Sequence, residues 1–181
     1  MKYIIASDIH GSASSCRKLL ERFSEEGADR ILLLGDLLYH GPRNDLPDEY
    51  APKAVIEMLN GVSDRVSTVR GNCDCEVDQM VLTFPILADY AWVETKDRLL
   101  YLTHGHHITE GTYKQIGAGN VLLSGHTHVP LCETVSGVLH LNPGSTSIPK
   151  EGSVKSYMTF DGVTFSWKNL ESGETYLEKQ L

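Results

Sequence analysis

The chain has 181 residues, a formal net charge of −8 at pH 7, 41% hydrophobic residues and 22% charged residues. We therefore expect one globular domain that spans residues 1–181. The acidic balance disfavours a nucleic-acid platform, which usually presents a basic face. The apolar runs are far shorter than the roughly 18 residues that span a bilayer, and no secretory signal is evident. The four cysteines show no disulfide pattern, so we predict a cytoplasmic protein without membrane contact.

The first part of the chain alternates strands and helices. The apolar spacing predicts strands at 2–7, 30–34 and 65–69 and helices at 12–26 and 51–60. Ser12 is the expected cap of the first helix, and Gly27 is its expected stop. A loop rich in Gly, Pro, Asn and Asp runs from Tyr39 to about Tyr50 and is a candidate lid because it exceeds the usual connection length. This β-α-β-α-β order predicts a parallel sheet.

From about Ala88 the pattern changes to short strands joined by tight turns. We predict strands at 92–95, 98–103, 121–124, 130–135, 138–141, 157–160, 163–169 and 175–179. Asp161-Gly162 and Ser172-Gly173 have the composition of hairpin turns. A parallel half followed by a strand-rich half predicts an α/β fold of two packed sheets with helices outside them.

Polar side chains follow the apolar strands at the points where these strands end. Five strands are each followed by Asp, Asn or His: Asp8 and His10, Asp36, Asn72, His104, and His126 with His128. Open α/β sheets bind ligands at the carboxyl ends of their strands. Any one of these residues alone is more often a turn, cap or core residue. Their repetition indicates instead a site whose nitrogen and oxygen donors suit divalent metals.

Five sequence blocks occur in the order found in calcineurin-like metallophosphoesterases. They are Asp8-Ile9-His10, Gly35-Asp36, Gly71-Asn72-Cys73-Asp74, His104-Gly105-His106 and Gly125-His126-Thr127-His128. The chain most resembles the short bacterial branch, the YfcE-type phosphodiesterases, and the resemblance covers nearly its whole length. It implies a four-layer α-β-β-α sandwich of two mixed sheets with a dinuclear metal centre.

The resemblance also implies a role for each ligand position. One metal would be held by Asp8, His10 and His128, and the other by Asn72, His104 and His126. Asp36 would bridge them, because a carboxylate has two oxygens and can separate two cations. We expect two divalent ions per chain, with manganese as the expected metal and iron, zinc, nickel or magnesium as alternatives. A hydroxide bridging the metals would attack the phosphodiester. The expected catalytic residues are Asp36, Asn72, Cys73 and His104.

Cys73 departs from the pattern of the broader family, in which many members carry a histidine that is the usual general acid. A thiol, with an ordinary pKa of about 8.5, matches that task less well. Cys73 could donate the proton, could shape the pocket, or could leave the role to His40 or His106. The predicted substrate contacts are His40, Arg43 and His106. Asp74 either orients a ligand histidine or is an exposed loop carboxylate.

The expected partner is a small phosphodiester. A phosphomonoesterase with the same dinuclear site is the close alternative, and a non-catalytic scaffold, as in a retromer subunit of this fold, is a weaker one. All seven ligand positions carry competent donors, which a scaffold would not require. A dimer or tetramer is left open. Asn142-Pro143-Gly144-Ser145 is predicted to be a turn that closes the site from below.

Overall fold

Eleven strands and four α-helices make up the chain, which a computed structural model describes over all of residues 1–181. The strands are β1 Tyr3–Ala6, β2 Arg30–Leu33, β3 Val66–Thr68, β4 Tyr90–Glu94, β5 Leu99–Thr103, β6 Val121–Leu123, β7 Pro130–Val135, β8 Val138–Pro143, β9 Ser156–Phe160, β10 Thr164–Asn169 and β11 Thr175–Gln180. The helices are α1 Ala13–Glu25, α2 Pro52–Asn60, α3 Glu76–Gln79 and α4 Glu110–Ile116, with a 3-10 turn at Ser63–Arg65. None of these helices has both the length and the apolar character needed to cross a membrane.

The strands form two mixed sheets. The first has the order β11-β10-β9-β1-β2-β3, in which β1, β2 and β3 are parallel and β9 to β11 are antiparallel to their neighbours. The second has the order β4-β5-β6-β8-β7, in which β5, β6 and β8 are parallel and the two edge strands are antiparallel. Each sheet therefore has a parallel portion whose strands end on the same side.

Apolar side chains divide the molecule into layers. Helix α1 buries Cys16, Leu19 and Phe23, one helical face, in the cluster that covers the outer side of the first sheet together with α2. A second cluster fills the space between the sheets, with Ile5 from one and Leu123 from the other. A third, smaller cluster lies between α4 and the second sheet. The order of layers is α-β-β-α, and the predicted fold is confirmed.

The structure departs from the predicted elements in the second half of the chain. Helices α3 and α4 were not predicted because they have only 4 and 7 residues, too few for a helical period to be visible. Strand β4 begins at Tyr90, two residues before its predicted start. The expected cap of α1 is present, since the Ser12 hydroxyl accepts from the Ser15 N–H at 3.3 Å.

Candidate metal centre

The parallel strands of both sheets deliver polar side chains to one end of the sandwich. From β1, β2 and β3 come Asp8, His10, Asp36 and Asn72, and from β5 and β6 come His104, His126 and His128. The two sheets face each other across a shared core, so these strand ends converge. All seven side chains singled out from the sequence lie in one cluster, which has two halves.

One half of the cluster is formed by Asp8, His10 and His128. Asp8 Oδ1 lies 3.2 Å from His128 Nε2 and 3.5 Å from His10 Nε2. The two Nε2 atoms are 3.3 Å apart, and all three side chains are buried. Asp8 Oδ1 accepts no hydrogen bond. Three donor atoms for a single cation therefore converge on one point.

The other half is centred on His104. Its Nε2 lies 3.0 Å from Asn72 Oδ1 and 3.3 Å from Asp36 Oδ2. The His126 ring lies 5.1 Å from the His104 ring, and the His126 N–H donates to Asp8 Oδ2 at 3.1 Å. Asp36 Oδ2 is also 3.6 Å from His10 Nε2, so one carboxylate contacts both halves.

Three histidines have their tautomers fixed by the main chain. Each has Nδ1 within 2.6–2.7 Å of a carbonyl oxygen, which can only accept, so Nδ1 carries the proton: His10 on Tyr39, His104 on Leu34 and His128 on Ile148. In the neutral ring Nε2 then presents a lone pair to the cluster. Lone pairs 3.3 Å apart beside a carboxylate repel one another unless a proton or a metal cation lies among them. The arrangement fits a bound divalent cation.

The carboxylates make the cluster favour positive charge. Burial alone would lower the pKa of His104, but the Asp36 and Asp8 carboxylates outweigh it and raise that pKa to about 9. The pKa of His10 is raised as well, since Asp8 outweighs the effect of burial. Burial opposes ionisation of Asp8 and Asp36, yet the facing imidazoles hold the pKa of both below the usual range. Without a metal the cluster would hold protons, for which a cation must compete.

The main chain is strained where it carries the candidate ligands. Five of the seven residues have left-handed backbone conformations, with φ between 50° and 67°: Asp8, His10, Asp36, His126 and His128. Only three other non-glycine residues of the chain have positive φ. Residues with a Cβ rarely adopt this region, and such strain concentrates at functional sites. The sharp turns after the strands are what aim these side chains at one point.

Two glycines allow the strand ends to approach one another. A Cβ on Gly71 would lie 2.1 Å from Asp36 Oδ1, and one on Gly125 would lie 1.9 Å from Ser7 Oγ and 2.9 Å from Asp8 Oδ2. No larger residue fits at either position without displacing a carboxylate of the cluster.

Asp74 has a role that neither sequence interpretation described. It is buried, so it is not an exposed loop carboxylate, and it contacts no ligand histidine. Its oxygens accept from the N–H groups of Asp36, Leu37 and Gly71 at 2.7–2.9 Å. Burial raises its pKa against the effect of these donors. Asp74 therefore ties the loop after β2 to the loop after β3 and holds the main chain of Asp36 in place.

A row of hydroxyls supports Asp8 from below. The Ser145 and Ser147 hydroxyls donate to the Asp8 carbonyl oxygen at 2.9 and 2.8 Å. Asn142 donates to the Gly125 carbonyl at 2.7 Å and so anchors the turn that carries His126. The segment predicted to be a turn that closes the site from below begins instead with the last two residues of β8, Asn142 and Pro143, and its side chains support the main chain of the site. Ser147 lies outside that segment and was missed, because nothing in the sequence indicates that it lies beneath residue 8.

An open cavity of about 330 Å³ lies over the cluster. Its walls include Arg43, Cys73 and Lys150. Neither cation has an acidic partner within ion-pair distance. Burial, followed by the Asp36 carboxylate, raises the pKa of the Cys73 thiol to about 12. Lys150 was missed from the sequence, because only the fold brings it beside the cluster.

The two other predicted substrate residues lie away from this cavity wall. His40 packs edge-on against Tyr39 and Tyr50, with ring centroids 4.8 and 5.1 Å away. The His106 ring is 5.4 Å from that of His104 and 6.0 Å from that of His126, and it lines a different cavity. Burial, followed by His107 and His104, lowers the pKa of His106 to about 4.

Comparison with known proteins identifies relatives of this chain. The Escherichia coli (strain K12) phosphodiesterase YfcE is 48% identical over 166 residues, which is 92% of this chain and 90% of that protein. The solved structure of the E. coli phosphoesterase superposes with a TM-score of 0.95 at 44% identity over 99% of each chain. The Methanocaldococcus jannaschii phosphodiesterase MJ0936 is 29% identical over 84% of this chain and 91% of that protein.

A more distant likeness shows the fold alone. Vps29 from Entamoeba histolytica, in a structure described as a complex with Zn²⁺, superposes with a TM-score of 0.64 at 19% identity, over 100% of this chain and 98% of that one.

The profile of the calcineurin-like phosphoesterase superfamily domain matches residues 1–164. The chain therefore belongs to the calcineurin-like phosphoesterase superfamily.

Proposed function

We propose that this chain hydrolyses a small phosphodiester with the help of two divalent metal ions. Asp8, His10 and His128 would hold one ion, and Asn72, His104 and His126 the other, with Asp36 shared between them. The observation that carries this proposal is the pair of Nε2 atoms of His10 and His128, 3.3 Å apart, beside the Asp8 carboxylate oxygen that accepts no hydrogen bond. The 48% identity with a phosphodiesterase supports the choice of reaction.

The metal-holding residues are organised before any ion binds. Hydrogen bonds from Nδ1 of His10, His104 and His128 to carbonyl oxygens fix the ring orientations. The Cys73 N–H donates to Asp36 Oδ1 at 2.8 Å, which leaves Oδ2 directed toward both histidine groups. Divalent ions bound here would lower the pKa of a water and neutralise charge on the phosphoryl oxygens.

The cavity wall supplies the contacts for the substrate. Arg43 and Lys150 are cations without acidic partners, and their N–H groups suit the phosphoryl oxygens of an anionic ester. The Cys73 thiol is a weak proton donor, because the ordinary pKa of a thiol is about 8.5 and burial raises that of Cys73 further. The site therefore favours esters whose leaving group needs little help from a proton donor. His40 and His106 remain proposed contacts.

The donor atoms of the cluster bear on the identity of the metal, and the cysteines bear on the cellular location. Imidazole, carboxylate and amide donors accept manganese, and equally iron, zinc, nickel or magnesium, so we propose manganese subject to availability. All four cysteines are free, which supports a reducing, cytoplasmic location. Residues 1–181 form one domain in this proposal, because one apolar cluster draws on both sheets. Association into a dimer or tetramer is compatible with it.

The test compares two esters with one leaving group. The protein is stripped of metal, reconstituted with Mn²⁺, and assayed with bis(p-nitrophenyl) phosphate and p-nitrophenyl phosphate. Metal-dependent turnover that favours the diester supports the proposal. Faster hydrolysis of the monoester would make the chain a phosphomonoesterase. Bound metal with no turnover of either ester would favour a non-catalytic scaffold.

A further inference from the structure

An aromatic surface lies uncovered on the outer face of the second sheet. Tyr90 stacks on Tyr101, with ring centroids 5.3 Å apart and an angle of 15° between the planes. Trp92 meets Tyr101 edge-on at 4.7 Å. Helix α4 covers the middle of this sheet face but leaves the edge strand β4 open, so Tyr90 is 55% and Trp92 42% exposed.

This surface begins beside the metal centre. Strand β4 runs antiparallel to β5, and Tyr90 pairs with Thr103, the residue before His104. The chain then turns outward through His106, whose ring lies 5.4 Å from the His104 ring. His106 therefore has the metal centre on one side and the aromatic surface on the other.

A second cavity occupies the space between His106 and the aromatic rings. Its volume is about 190 Å³, and its walls include Asp89, Tyr90, Tyr101, Thr103, His106 and Thr112. A cavity of about 150 Å³ holds a benzene molecule, so this one has room for one aromatic ring system. It has no Lys or Arg in its walls, whereas the cavity on the other side of the centre has Arg43 and Lys150.

The two cavities differ in the charge of the side chains that line them. The cavity with Arg43 and Lys150 suits the anionic part of an ester. The cavity with Tyr90 and Tyr101 offers ring faces for stacking, and Asp89 and the threonine hydroxyls can accept hydrogen bonds from a heterocycle. An anionic group would meet the Asp89 carboxylate there and be repelled.

We propose that the cavity lined by Tyr90, Tyr101 and Asp89 binds an aromatic substituent of the phosphodiester, either an aryl ring or a nucleobase. This inference rests on the proposed function and assigns the substrate class of the same site. Stacking on aromatic side chains is sequence-tolerant and is lost when the side chain is truncated. The preference for an aromatic group should therefore depend on Tyr90 and Tyr101.

The test uses phosphomonoesters, which are products and not substrates of the proposed diester hydrolysis. Calorimetry with the Mn²⁺-loaded protein measures the Kd of phenyl phosphate against methyl phosphate. A second pair, thymidine 5′-phosphate against 2-deoxyribose 5-phosphate, isolates the nucleobase. We expect the aromatic member of at least one pair to bind about tenfold more tightly. Preference in the second pair assigns a nucleobase, and preference in the first alone assigns an aryl ring.

The variants show whether the preference arises in this cavity. Tyr90→Ser should reduce it to about twofold or less, and because Tyr90 is exposed the variant should fold. Tyr101→Leu should do the same. Tyr176→Ser is the matched control, since Tyr176 is also exposed (45%) but lies on β11 of the other sheet. It should leave the preference unchanged.

Two results would overturn the inference. One is an absence of preference in the wild-type protein. The other is a preference that Tyr90→Ser leaves intact. If Tyr90→Ser also sediments as a smaller species, the aromatic surface is an interface between copies of the chain. Because no diester is present in the binding measurement, a protein that prefers aromatic phosphates but hydrolyses no diester refutes the proposed function alone. A diesterase without the preference refutes this inference alone.

Discussion

Replacing Gly71 by alanine tests how closely the loops after β2 and β3 must approach. The new Cβ would lie 2.1 Å from Asp36 Oδ1 and 2.3 Å from the Asp36 main-chain nitrogen, whereas real Cβ atoms do not come within 3.0 Å of such neighbours. Asp36 must therefore move by roughly 1 Å, and a misplacement of about 1 Å in an active site can lower turnover about a hundredfold. Overpacking of this kind destabilises by about 1–3 kcal/mol, a fall in Tm of about 2–12 °C for a chain of this size.

Turnover of bis(p-nitrophenyl) phosphate and scanning calorimetry measure the two effects of Gly71→Ala. Gly111→Ala is the control, because its Cβ would lie 3.4 Å from Thr109 Oγ1, an ordinary contact, inside α4. Alanine is the better helix former, so Gly111→Ala should keep full activity and an equal or higher Tm. If Gly71→Ala kept wild-type activity and Tm, the close approach of Gly71 to Asp36 would be refuted.

Three further changes test other parts of the structure. Asp36→Asn should abolish turnover of bis(p-nitrophenyl) phosphate and reduce the amount of bound metal, because the carboxylate that contacts both halves of the cluster loses its charge. Retained activity would show that Asp36 is not shared between two metal ions. Cys73→His should change the range of leaving groups that the protein accepts, because an imidazole is a better proton donor than a thiol with a raised pKa. The metal content should not change. An identical substrate profile would show that Cys73 has no catalytic role. Burial opposes ionisation of Glu26, but hydrogen bonds from Lys168 and Lys2 outweigh it and lower its pKa below the ordinary 4.5. The folded state thus binds fewer protons than the unfolded state near that pH, so Glu26→Gln should lower the free energy of unfolding by about 1–2 kcal/mol at pH 7. The difference should shrink as the pH falls through the folded-state pKa, as urea unfolding at pH 7 and pH 3 would show; a constant difference would refute it.

Each of these variants has a counterpart elsewhere on the chain. Asp45→Asn changes an exposed carboxylate of the loop between β2 and α2, and Cys132→His changes an exposed cysteine on β7. Glu171→Gln removes an exposed charge without a side-chain ion-pair partner. None of the three should reproduce the effect of its matched variant.

The convergence of the candidate ligands was predictable because it follows from topology. The carboxyl ends of neighbouring parallel strands lie at the same edge of a sheet. Asp8, Asp36 and Asn72 each follow such a strand, so they had to lie near one another. The same rule brought His104 and His126 together in the second sheet. Neither step requires knowledge of how side chains pack.

Other features depend on contacts between distant residues and were not predictable. The pairing of β1 with β9 joins segments at opposite ends of the chain and leaves no periodic signal. Lys150 reaches the cavity, and Ser147 reaches the Asp8 carbonyl, only after that pairing forms. Nothing in the sequence distinguishes Asp74 from an ordinary loop aspartate. The three main-chain N–H groups that donate to it come from two separate loops.

The left-handed backbone conformations at the candidate metal centre affect which substitutions such a protein would tolerate during evolution. A residue with a Cβ in this conformation costs on the order of 1–3 kcal/mol, and five of them lie at this site. Their sum is comparable with the whole net stability of a typical domain. Glycine at Asp8, His10, Asp36, His126 or His128 would relieve the strain, so a lineage that no longer used the site would gain stability by losing these side chains. Selection for folding alone would therefore favour the loss of these five side chains.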